Sequence, residues 1–174
     1  ARRLGRLTGG GLFAESQKLG QARDWRDSGI LGCDSVQNAV HRGRLFWLWG
    51  DTTIARYPLG IFDGTSATTA VQPLSSFEPP LRLKLDYFTD ENGLPRGIAK
   101  LPGTGPTWVT GYVSLTDKTG RPRLAGAYMK VKPPMEAYQW GLAVWNDETS
   151  NFEPLRVVWT KSEATPKPPP VPEG

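Results

Sequence analysis

The chain of 174 residues holds a single cysteine and a single histidine. Cys33 alone cannot close an intramolecular disulfide, and one cysteine with one histidine cannot furnish a zinc site. Asp34 beside Cys33 opposes thiolate formation, which argues against a nucleophilic thiol. His41 sits mid-strand, so a Ser-His-Asp triad has almost no material to draw on. The expectation is no metal site and no cofactor. No apolar run approaches the roughly 20 residues of a membrane-spanning helix, so no membrane partner is expected. No leader-like segment is legible either; the chain starts at Ala1, where processing or truncation would erase one.

A strong charge of one sign is also missing. The net charge is +4 and the pI about 9.3. Arg2, Arg3, Arg6, Lys18, Arg23, Arg26, Arg42 and Arg44 crowd the first quarter, but Glu15, Asp24, Asp27 and Asp34 interrupt them. No basic run reaches five residues. This pattern fits a solvated mixed surface and not a phosphate-binding stripe, so no nucleic-acid partner is expected.

Turn formers are abundant: Gly 20 and Pro 16. With 38% hydrophobic and 10% aromatic residues, the composition is globular, and the length allows a sizeable core. Short apolar runs between turn signals predict an all-β protein.

Residues 1–33 read as an irregular arm broken by Gly9-Gly10-Gly11. Residues 34–106 read as a first four-stranded unit with a long insertion. Within it, residues 36–41 and the apolar Leu45–Trp49 flank the tight-turn signal Arg42-Gly43. Gly50-Asp51-Thr52 ends the second strand, residues 53–64 read as a loop, and Ser66–Val71 as a third strand. Leu81-Arg82-Leu83-Lys84-Leu85 alternates as a half-buried strand, and Asp90-Glu91-Asn92-Gly93 is a turn.

Residues 107–160 read as a second unit: strands Trp108–Thr116, Arg123–Val131, Ala137–Trp145 and Phe152–Trp159, joined by short turns in a meander. Both faces of this sheet are apolar, since Tyr138, Trp140, Leu142 and Val144 alternate with Gln139, Gly141, Ala143 and Trp145. A sheet covered on both faces suits a β-propeller blade. The small residues Gly111, Ala125, Gly126, Ala127, Gly141 and Ala143 permit close approach of a neighbouring blade. The chain then holds about two blades of an incomplete propeller, followed by a proline-rich tail or linker at residues 161–174.

Antiparallel alternation puts the entry to a blade's first strand and the loop after its second strand at one end. Asp34, Ser35, Gln37, Asn38, Asp51, Thr52 and Arg56 of the first unit fall there. So do Thr107, Trp108, Lys132 and Glu136 of the second. Asp34, Asp51 and Glu136 are therefore candidates for paired-carboxylate chemistry, in which one carboxyl donates a proton and another acts as base or nucleophile. The plainer assignments stay open. Asp51 and Asp34 fit turn residues that bond nearby backbone amides, Glu136 fits a solvated loop position, and the tryptophans fit core packing.

Two stretches carry a family resemblance. One is Asp34-Ser35-Val36-Gln37-Asn38 with the aromatic hairpin ending Trp49-Gly50-Asp51-Thr52. The other runs from Arg123–Met129 through Tyr138–Trp145 to Asn151-Phe152-Glu153-Pro154-Leu155. Together they resemble the five-bladed β-propeller glycosidases, the architecture shared by arabinanases, xylosidases, invertases and levansucrases, in a form similar to an uncharacterised bacterial relative and a partial chain. The resemblance implies a glycoside hydrolase-like protein acting on a carbohydrate partner. Asp34 would be base or nucleophile, Glu136 the acid and Asp51 a supporting carboxylate. Gln37, Asn38, Arg56, Trp108 and Tyr138 would bind substrate. A glycan-directed activity implies a secreted or periplasmic setting. The competing expectation is a non-catalytic propeller or β-module that binds a glycan or protein through the same surface.

Overall fold

The computed structural model describes residues 29–54, 56, 60–76 and 83–170, together with Leu7 and Leu19. The protein is all-β, with antiparallel pairing throughout the described sheets. Among the described residues no helix is long and apolar enough to cross a membrane. The chain divides into two compact units, Ala1–Gly97 and Ile98–Gly174.

The first unit contains β1 (Ile30–Cys33), β2 (Val36–His41), β3 (Arg44–Trp49), β4 (Thr52–Ile54), β5 (Gly60–Ile61), β6 (Thr65–Ala70) and β7 (Asp86–Tyr87). β2, β3, β6 and β7 form one four-stranded sheet in that order, and β1, β4 and β5 a three-stranded sheet ordered β1-β4-β5. Arg42 and Gly43 both take positive φ, 49° and 74°. That is the geometry of a two-residue hairpin whose twist matches its strands. The wholly apolar run in β3 is explained by burial on both faces, from Phe46 to Trp49. Trp47 and Trp49 stack on one face with centroids 6.4 Å apart, and Trp47 Nε1 donates to Thr69 Oγ1 at 3.1 Å.

Three expectations for this unit change. Residues 30–33 are a strand paired to β4, not part of an irregular arm; the rest of that arm, apart from Leu7, Leu19 and Gly29, lies outside the described residues. The loop expected over 53–64 carries β5 and most of β4. The strand expected over 81–85 is not formed at Leu83–Leu85; Leu81 and Arg82 lie outside the described residues. Leu83 and Leu85 pack against the Trp47–Trp49 cluster while Lys84 is exposed. Their alternation thus reflects alternate burial without a hydrogen-bonded ladder, and the strand follows at Asp86–Tyr87.

The second unit is a meander of long strands: β8 (Thr107–Thr116), β9 (Pro122–Lys132), β10 (Glu136–Asn146) and β11 (Asn151–Thr160), ordered β11-β10-β9-β8. The four expected strands are all present. One face is the core. Tyr112, Leu124, Tyr128, Ala143, Trp145 and Phe152 are buried there, with Trp145 and Tyr112 edge-on to Phe152 at 5.4 Å and 6.5 Å. Burial also pushes the Tyr112 phenol well above its ordinary range.

The segment before β8 belongs with this unit, although the expected boundary lay at 106. Ile98, Ala99 and Leu101 are buried, and Phe152 N–H donates to the Ile98 carbonyl at 2.7 Å. The clamp on this segment is Lys130, only 1% exposed. Its ammonium donates to the carbonyls of Leu101 (3.1 Å) and Gly105 (2.8 Å) and to Thr107 Oγ1 (3.1 Å). Burying an ammonium costs several kcal/mol, and charge-assisted hydrogen bonds at about 1.5–3 kcal/mol each offset it. Gly105 is required beneath this clamp: its φ is +72°, and a Cβ there would lie 2.0 Å from the Val131 carbonyl oxygen.

Replacing Lys130 by methionine keeps the volume and strips those acceptors of their donor. Lys130→Met should lower the unfolding free energy by about 3 kcal/mol, on the scale of buried groups left unsatisfied. Urea denaturation checks this, and an unchanged midpoint would contradict the clamp.

Candidate functional site

Asp34 meets the backbone of Asp51 where β2 and β3 hand over to β1 and β4. Asp34 N–H donates to the Asp51 carbonyl at 3.0 Å, and Gly50 N–H to the Asp34 carbonyl at 3.0 Å. The Asp34 side chain also takes part: its Oδ1 accepts the Asp51 N–H at 2.8 Å. A Cβ at Gly50 would stand 2.3 Å from that oxygen, so a larger residue there would displace the Asp34 carboxylate. Asp34 and Asp51 are thus neighbours at one end of the hairpin through the Asp51 backbone, and the Asp34 carboxylate has a backbone amide to hold. Gln37 and Asn38 lie on β2 opposite Leu48 and Trp47, with Gln37 half-buried and Asn38 exposed. Arg56 is exposed.

Glu136 belongs to the second unit and opens β10. Lys161 Nζ lies 2.9 Å from its Oε1 and Lys132 Nζ 3.5 Å from the same oxygen. The hydrogen bond from Lys161, with Lys132 adding to it, holds the Glu136 carboxyl below its usual range. A carboxyl kept ionised in this way is poorly disposed to donate a proton at neutral pH. Tyr138 stands next to this cluster. Its hydroxyl donates to the Thr104 carbonyl at 2.7 Å, and Lys132 Nζ lies 5.8 Å from its ring centroid. The Tyr138 hydroxyl thus holds the Pro102–Pro106 loop while its ring faces the lysine. Among the described residues no three His, Cys, Asp or Glu side chains gather as metal ligands.

Trp108 points elsewhere. It pairs with Met129, and Met129 with Trp140, so all three share the face of the sheet opposite the core. Trp108 Nε1 is buried there without a hydrogen-bond partner. Further along the same face lies an apolar trough of about 630 Å³. Ala125 and Ala127 form its floor on β9; Val113 and Leu115 wall it on one side, Leu142 and Leu155 on the other. These four wall residues are 52%, 46%, 38% and 59% exposed. Asp117 and Arg123 close one end.

That trough was not singled out as a site in the sequence, although the expectation of two apolar faces contained the signal. A second signal went unread: Thr89–Arg96 and Thr116–Arg123 both spell Thr-Asp-x-x-Gly-x-Pro-Arg. Both copies fold alike. Thr89 bridges Pro95, and Thr116 bridges Pro122. Asp90 Oδ1 accepts the N–H groups of Asn92 and Leu94 at 2.9 Å and 3.0 Å. Asp117 Oδ1 accepts those of Thr119 and Arg121 at 2.8 Å and 3.0 Å. These bonds hold both carboxyls below the usual carboxylate range: the Leu94 amide contributes most at Asp90 and the Thr119 side chain most at Asp117.

No family model matches this chain, and no curated protein or solved structure is significantly similar to it.

The lowered Glu136 pKa has a definite sign. The ionised form is favoured in the folded state, so its contribution is present above the ordinary value of 4.5 and is lost as pH falls through the lowered one. An NMR titration of the Glu136 side chain should give a midpoint below 4.5, rising toward that value in Lys161→Ala. A midpoint indifferent to Lys161→Ala would contradict the ion-pair assignment.

Proposed function

We propose that this chain is a non-catalytic β-module, built from blade-like four-stranded sheets, that binds a protein partner through the outer face of its second sheet. One observation carries the reading: four large aliphatic side chains stand exposed around a small-residue trough on a regular sheet. Contiguous apolar surface of this kind is uncommon on a free face and marks docking sites. The alternation of β9 and β10 supports the same view, because an ordinary solvated sheet face would be polar at these positions. The blade-like character is supported by the sequential order of β8 to β11 and by the repeated Thr-Asp-x-x-Gly-x-Pro-Arg hairpin.

An anionic naphthalene dye that fluoresces on apolar surfaces tests whether this face is open. The full chain should bind it, and Leu142→Arg and Leu155→Arg should each reduce the signal several-fold without shifting the urea midpoint. Equal signals from wild type and both variants would contradict the reading.

A second reading is favoured by the bond from the Asp51 N–H to the Asp34 carboxylate at one hairpin end: a carbohydrate-active module, hydrolase-like, with Asp34 at its centre. It predicts turnover of aryl glycosides by the full chain that falls at least about 100-fold in Asp34→Asn, the usual scale for loss of an acid–base group. Absence of turnover, or equal turnover by the variant, would remove it.

A further inference from the structure

We propose that the partner on the outer face of the second sheet is a second copy of this chain, docked about a twofold axis that runs along the strands between β9 and β10. This deepens the docking role proposed above and rests on it. The register carries the argument. On the outer face, Met129 of β9 lies beside Trp140 of β10, Ala127 beside Leu142, and Ala125 beside Val144. At each of these three levels β9 offers the smaller side chain and β10 the larger.

A twofold axis between the two strands sets β10 of one copy over β9 of the other at the same level. Leu142 then stands over Ala127 of the second copy, Val144 over Ala125, and Trp140 over the Met129 thioether, a favourable sulfur–aromatic pairing. The ridge of each copy fills the trough of the other, and every contact occurs twice, as an isologous interface requires. Sheets packed face to face lie about 10 Å apart, which leaves room for a leucine or valine side chain to seat over an alanine.

Charge at the edge of the face agrees. One step beyond Ala125 and Val144 on this face come Arg123 and Asn146. The Asn146 amide donates to Glu153 Oε1 at 2.7 Å. The axis carries Arg123 of each copy to the Asn146–Glu153 corner of the other, so a guanidinium meets a carboxylate. An unrelated apolar protein would need no such match of size and sign within one register.

Sedimentation velocity of the full chain, kept reduced and run from low to high micromolar concentration, tests this. Wild type should pass from monomer to dimer. Leu142→Arg and Ala127→Trp should both stay monomeric, the first by placing charge on the ridge and the second by filling the trough. Glu153→Arg should weaken the dimer at least about tenfold, equivalent to about 1.4 kcal/mol, and adding Arg123→Glu to it should restore association. A wild type that stays monomeric, a dimer indifferent to Leu142→Arg, or a charge swap that fails to rescue would each overturn the proposal. Dye binding separates the two levels. A monomeric wild type whose dye signal still falls in Leu142→Arg leaves the docking face intact with a different occupant. A signal that does not fall removes the face itself.

Discussion

The second sheet depends on glycines lying beneath aromatic rings. A Cβ on Gly141 would come within 2.7 Å of the Tyr128 ring and 2.3 Å of the Arg156 carbonyl oxygen, and one on Gly126 within 2.9 Å of Tyr112 Cβ. Only hydrogen fits at either position. Tyr128 and Tyr112 can therefore lie low over the neighbouring strands, and Trp145 and Phe152 close the layer beside Tyr112. Interiors are packed to crystal-like density, and Tyr112, Tyr128, Trp145 and Phe152 fill the inner side of the backbone here. The Ile98–Pro106 segment, held by the Lys130 ammonium, belongs to the same unit.

Strand alternation turns that choice into an asymmetry. With the rings and glycines on the inner face, the outer face of β9 retains Ala125, Ala127 and Met129, flanked by the larger side chains of β8, β10 and β11. A trough between aliphatic ridges follows from the register without any loop to shape it. Polar tips cluster at the turn end, where Asp117 is occupied in holding the Thr119 and Arg121 amides. The face is thus apolar in the middle and charged at its margin, the anatomy of a docking surface.

Much of the architecture was legible in the sequence because its signals are local. Arg42-Gly43 between apolar runs marks a hairpin, and the four long strands after residue 106 are bounded by turns such as Asp117–Gly120. The segments that went astray answer to distant contacts instead. Leu83 and Leu85 alternate because Trp47 and Trp49 bury them, not because a strand pairs there. Ile98–Pro106 joins the second unit because of Lys130, a residue whose burial no local pattern announces. The candidate acids divide in the same way. The approach of Asp34 to Asp51 follows from hairpin geometry, whereas the lysine partners of Glu136 include Lys161, which arrives from the far end of β11. The trough was the least legible, since Val113, Leu142 and Leu155 converge only once the register is known.

The central claim is that the second sheet has one filled face and one face that is open along the Ala125–Ala127 trough. Hydroxyl-radical labelling of the full chain at high dilution, read out side chain by side chain, tests it most directly. Leu142, Leu155, Val113 and Leu115 should label rapidly, while Leu124, Tyr128 and Phe152 of the same sheet stay protected until the protein unfolds. Equal protection of the two sets would contradict the account.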